Sequence, residues 1–146
     1  MNKPEMTAAI QKARVRKKLT WEKLAEKIGK SPVWVTSACL GMNSMPKEDA
    51  DKLCKALGLK SDVSAALQEF PHKTWEKAVP TDPLVYRLYE IVGVYGDTIK
   101  TLIHEKFGDG IMSAIDFSMH IEKVSDPKGD RVKVTMNGKF LPYRNW

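Results

Sequence analysis

The 146-residue chain has little cysteine and little histidine, and no long apolar run. Two cysteines, Cys39 and Cys54, are too few for a disulfide framework. Both sit in apolar helical surroundings, which reads as reduced core residues of a cytosolic protein. Neither has a histidine or a second cysteine at ligand spacing, so a zinc site is not expected. No stretch approaches the ~18 apolar residues of a membrane span. The segment from Met1 to Leu19 is polar and rich in Lys and Arg, unlike a secretory signal.

What is present is an ordinary globular composition, 42% hydrophobic and 29% charged, with a net charge of +6. The charge is uneven. Residues 1–80 carry 15 Lys/Arg against 9 Asp/Glu, whereas residues 81–146 carry 9 of each. That asymmetry suggests two regions with different roles, and a basic half suits nucleic acid or small anions.

The first half reads as about five short helices. Ile10, Ala13 and Arg14 mark the first, and Leu24, Ala25 and Ile28 line the second, behind Thr20 as N-cap and before Gly29 as stop. Ser31-Pro32 resembles a cap followed by proline at the first helical position, opening a helix to about Leu40. Pro46 opens a fourth with Ala50, Leu53, Cys54 and Leu57 as one stripe, and Ser61 is expected to cap a fifth. Phe70 to Asp82 reads as a linker, with Trp75 packed against one of the halves.

In the second half Asp82-Pro83 starts a helix whose apolar face is Leu84, Leu88, Ile91, Val92 and Tyr95. Gly96-Asp97 is expected to break it, with a second helix running to Phe107. The period then changes to two. Ile115, Phe117, Met119 and Ile121 alternate with polar residues as in a half-buried strand, and Val132, Val134 and Met136 do so again. Asn137-Gly138 signals a tight turn. So small a piece is marginal alone, and an obligate oligomer is expected.

The pattern from Leu19 to Gly29 followed by Ser31 to Thr36 resembles a repressor-type helix-turn-helix. Base reading requires Arg, Lys, Asn or Gln near the start of the second helix. Those positions hold Pro32, Val33, Trp34 and Val35, so DNA binding is not expected. The basic stretch Lys12, Arg14, Arg16, Lys17 and Lys18 reads as a solvated face.

Arg87 and Glu90, three apart on one helix, project from neighbouring places, and taken alone they form a surface ion pair. Ser113 follows a Gly108-Asp109-Gly110 turn and taken alone says nothing. Together the residues say more. Leu84 to Glu90, Val94-Tyr95-Gly96, His104 to Ile115, Asp126-Pro127 and Asn137 to Pro142 resemble the cyanase (cyanate hydratase, cyanate lyase) family, most densely from Asp82 to Pro142. The resemblance implies an α+β fold: an N-terminal helical bundle over residues 1–75, similar to repressor domains, and a small C-terminal helix and strand domain over 76–146 that interlocks in a dimer. It implies bicarbonate-dependent decomposition of cyanate to ammonia and carbon dioxide, with catalytic residues Arg87, Glu90 and Ser113. It also implies a homodecamer of five dimers with shared sites, bicarbonate as co-substrate, no metal or organic cofactor, no membrane, and a cytoplasmic location. The reading in competition is a helix-turn-helix DNA-binding regulator with an oligomerising C-terminal domain. His104 and His120 have no recognisable partner and are assigned structural or solvent roles.

Overall fold

The computed structural model describes residues 1–71 and 78–144. The expected boundary between residues 75 and 76, and Trp75 itself, lie outside the described residues. Two compact units are present: Met1–Lys73 with His120–Val134, and Thr74–Met119 with Thr135–Trp146.

The first unit contains five helices, α1 (Lys3–Arg16), α2 (Trp21–Ile28), α3 (Pro32–Cys39), α4 (Lys47–Leu57) and α5 (Ser61–Gln68). Each presents an apolar stripe at helical spacing. Met6, Ile10 and Ala13 on α1, Leu24, Ala25 and Ile28 on α2, and Ala50, Leu53, Cys54 and Leu57 on α4 are all buried in one core. Fully burying a side chain of the size of Leu53 or Ile10 stabilises by about 1.5–3 kcal/mol, so this core sustains a bundle. Local signals agree with it. Asn2 and Glu5 form a reciprocal capping box on α1, and the Thr20 hydroxyl accepts the Lys23 N–H at 3.2 Å. Gly29 and Gly58 end α2 and α4 in the left-handed conformation, with φ of 78° and 69°.

Three expectations for this unit need correction. Ser31 occupies the cap position of α3 but its side chain caps nothing; proline at the next position fixes the helical start without it. Ser61 is the first residue of α5, and Lys60 holds the cap position. The basic stretch is not all a solvated face. Arg14 donates to the Leu19 carbonyl at 2.9 Å and lies over the Trp21 ring at 4.5 Å, so it ties α1 to the start of α2. Lys17 donates to the Ala56 carbonyl at 2.9 Å.

The second unit contains α6 (Pro83–Phe107), and strands β1 (Gly110–Val124) and β2 (Arg131–Pro142) pair as a two-stranded hairpin. Instead of two helices there is one of 25 residues. Gly93 and Gly96 weaken it by up to ~1 kcal/mol each relative to alanine. The apolar period nonetheless runs through them, from Leu84, Leu88, Ile91 and Tyr95 to Ile99 and Leu102, and continuous pattern prevails over local punctuation. Asp82 caps it as expected, its Oδ1 accepting the N–H groups of Leu84 and Val85 at 3.0 and 2.9 Å.

The strands also differ from expectation. Asn137-Gly138 is no turn but lies inside β2, and the chain reverses between the strands over residues 125–130. The expected alternation holds only in part within one chain: Phe117 and Met119 are half-buried between exposed neighbours, but Ile115 is 97% and Val132 76% exposed. Lys123 to Asp130 at 2.6 Å and Lys133 to Glu122 at 3.0 Å tie the hairpin's outer end across the strands. At the other end Phe107 stacks on Phe140, with ring centroids 5.2 Å apart.

Candidate active site

Asp82 and Pro83 start α6, and that start sets the faces of everything after it. Arg87 and Glu90 lie one turn apart on it, both exposed. Arg87 Nη1 donates to Glu90 Oε2 at 2.7 Å, and that bond pushes the already high pKa of the guanidinium further up. Arg87 is therefore a permanent cation, with its side chain 70% exposed. One of its N–H groups is used by Glu90, and the rest of the planar fork stays open to an oxygen pair on a ligand. Arg87 also stands one turn before Ile91, so it flanks the apolar stripe of α6.

Ser113 follows the Gly108–Gly110 turn, as expected, and lies within β1. Gly110 and Ser113 are both buried, and a spacing of three cannot put two residues on one face of a regular strand. The irregularity has a visible cause. The Ser113 Oγ accepts the backbone N–H of Ile115 at 3.1 Å and of Asp116 at 2.9 Å. A serine hydroxyl that accepts from two backbone amides in this way turns the chain locally. It also leaves the hydroxyl proton as the group's remaining function, free to be donated in a further hydrogen bond.

Within one chain the structure brings Arg87 and Glu90 together and leaves Ser113 bonded to its own strand. Two concavities on this unit have walls that include Asp116, Asn137 and Lys139 in one case and Ile103, Phe107 and Met136 in the other. Neither wall contains Arg87, Glu90 or Ser113. No group of three His, Cys, Asp or Glu suited to a metal ion is present among the described residues.

The sequence left His104 without a partner, and the structure supplies two. Its Nε2 lies 3.1 Å from the Gly110 carbonyl and its Nδ1 3.4 Å from Asp109 Oδ1. His104 therefore fastens the last turn of α6 to the start of β1. The nearby Asp109 in the stretch from His104 to Gly110 was the available signal. The partners of Ser113 had one too, since a serine followed at i+2 and i+3 by backbone amides is a recurrent local motif. At the start of α3, Val33 and Trp34 are half-buried and Val35 is buried, and Trp34 packs on the bundle core. No side chain suited to a base edge stands there.

Together these parts define an α+β protein whose helix-turn-helix bundle lacks base-reading side chains. Its second unit carries an exposed arginine paired with Glu90 and a buried serine whose oxygen accepts two backbone N–H groups. Comparison with known proteins agrees. A family model described as cyanate hydratase, N-terminal, matches residues 3–71, and one described as cyanate lyase C-terminal domain matches residues 77–145. The chain is 60% identical to a cyanate hydratase of Pseudomonas putida and 61% identical to one of Teredinibacter turnerae, in each case over all of both chains. The crystal structure of cyanase from T. urticae superposes with a TM-score of 0.82 at 36% identity, covering 94% of this chain and 96% of that one. The chain belongs to the cyanate hydratase (cyanase) family, and it is a lyase.

Among the described residues no helix is long and apolar enough to cross a membrane.

Proposed function

We propose that the enzyme decomposes cyanate with bicarbonate as co-substrate, giving ammonia and carbon dioxide, at sites completed by neighbouring copies of the chain in a homodecamer of five dimers. The observation that carries this is the state of α6. None of its 25 residues is buried, and the cation Arg87 flanks the uncovered apolar stripe. A surface laid on that stripe meets Arg87.

The chemistry gives a reason for sharing. Both substrates are anions, and their approach is unfavourable, the more so where water is excluded. A bicarbonate oxygen attacks the cyanate carbon, giving a dianionic adduct. Loss of carbon dioxide from it with uptake of one proton leaves carbamate, which takes up a second proton and breaks to ammonia and a second carbon dioxide. Two protons are consumed in all, and no electrons leave or enter, so the reaction as written calls for no redox cofactor. The enzyme's task is to position two reactants and to stabilise concentrated negative charge. A guanidinium with open donors serves that task, and guanidinium groups from more than one copy serve it better. Ser113 donates its hydroxyl proton to a substrate atom. Glu90 holds the Arg87 fork in orientation through the 2.7 Å bond.

The direct test is ammonia release from cyanate with and without added bicarbonate. Turnover that needs bicarbonate is expected, and equal rates in its absence would remove it as co-substrate. Site sharing is tested by mixed assemblies of Arg87→Ala and Ser113→Ala chains. If one site draws on different chains, mixtures recover activity above either parent; no recovery means each chain holds its own site.

A further inference from the structure

The hairpin contains a glycine in an unusual place. Gly138 lies inside β2 with no positive φ, so its backbone conformation is open to any residue. Space is what forbids a side chain. A Cβ at Gly138 would stand 2.5 Å from the backbone oxygen of Ser113 and 2.6 Å from Cγ of Met112. Met112 is a flexible side chain and can swing away. The Ser113 carbonyl cannot, because the next turn of the chain is held by the Ser113 hydroxyl accepting from Ile115 and Asp116. Three residues earlier along β1 the same edge is closed against β2 at Gly110, where a Cβ would stand 2.5 Å from the Leu141 oxygen. Ser113 is thus set by contact with β2 and by its own hydrogen bonds.

We propose that Gly138 is a positioning residue for the cyanate reaction: by carrying no side chain it lets β2 close onto the Ser113 carbonyl and so fixes where the Ser113 hydroxyl points. This rests on the assignment of Ser113 to the site. An added methyl pushes the strands apart by enough to clear a backbone atom. A hydroxyl that must meet a small anion tolerates little displacement, since about 1 Å of misplacement costs up to 10²-fold in rate.

The test is kcat for ammonia release by the wild type, Ser113→Ala, Gly138→Ala, Gly138→Ala/Met112→Ala and Gly138→Ala/Ser113→Ala, each with its assembled mass by light scattering. Gly138→Ala is expected to keep the wild-type mass and lose about tenfold or more in kcat, and Met112→Ala is expected not to restore it. In the Ser113→Ala background the same glycine change should cost nothing further, because the group it acts through is gone. The proposal is overturned by a wild-type kcat in Gly138→Ala, by rescue through Met112→Ala, by an equal cost in both backgrounds, or by loss of assembly in both glycine variants that retain Ser113. Wild-type turnover in Ser113→Ala would instead bring down the site assignment, and this proposal with it.

Discussion

The bundle and the second unit solve the burial problem differently. The bundle's helices each turn a stripe inward, and Met6, Ile10, Leu24, Val35, Leu53, Leu57 and Leu67 are fully buried among one another. Beyond the bundle, among described residues 78–144, only Gly110 and Ser113 are buried, while Leu84, Val92, Ile115 and Val132 stand 65% or more exposed. Apolar area of that extent on a helix and a hairpin marks a surface meant to be covered. One region is covered by its own contacts; the other leaves its apolar residues uncovered within one chain, and the proposed site residues are on that one.

The strongest way to break the contrast is to charge the α6 stripe. Ile91→Glu is expected to abolish assembly and turnover together, because an unpaired carboxylate in an apolar interface is prohibitive, while far-UV circular dichroism retains the bundle's helical signal. Persistence of the wild-type mass would show that the stripe is not an interface. Next in size, Arg87→Ala should lower kcat/KM by on the order of 10²–10³-fold without changing the assembled mass. Arg87→Lys should recover only part of that, since an ammonium lacks the planar fork. In the bundle, Leu53→Ala should cost about 2–5 kcal/mol in denaturant unfolding and leave kcat of the folded enzyme unchanged; a loss of kcat would mean the two regions are not separable. The smallest effect concerns the thiols. Burial pushes Cys39 up to about 12 and Cys54 up to about 11, from an ordinary 9.0. A thiol held neutral in the fold but free to ionise when unfolded stabilises fully below about pH 9, and that contribution is lost as pH rises towards 11–12. Unfolding midpoints measured from pH 8.5 to 10.5 should therefore fall more steeply in the wild type than in Cys39→Ala/Cys54→Ala, and thiol reagents at pH 8 should label neither cysteine until denaturant is added.

Much of the bundle is legible from sequence because its signals are local. Thr20, Gly29 and Gly58 act on backbone groups within a few residues, and the stripe Ala50, Leu53, Cys54, Leu57 is visible at helical period. The second half departs from its local signals where distance along the chain decides. Asn137-Gly138 carries turn chemistry, yet the glycine answers to Ser113 on the opposite strand, which no local rule sees. Gly96-Asp97 looks like punctuation, but the stripe continuing to Leu102 holds the helix straight through it. The Arg87 and Glu90 pair was readable, since i and i+3 are neighbours on any helix. The setting of Ser113 was not, because half of it belongs to β2. The same holds for His104, whose partners Asp109 and Gly110 come within reach only once the chain turns at Gly108.

A helix that buries nothing of its own also has a kinetic side. On the proposed assembly, a chain newly released from the ribosome displays the whole of α6 to the cell, with Leu88 and Ile99 uncovered, until further copies cover it. Activity should then appear after a lag that shortens steeply as the number of chains rises, and dilution should return the enzyme to silence before the bundle melts.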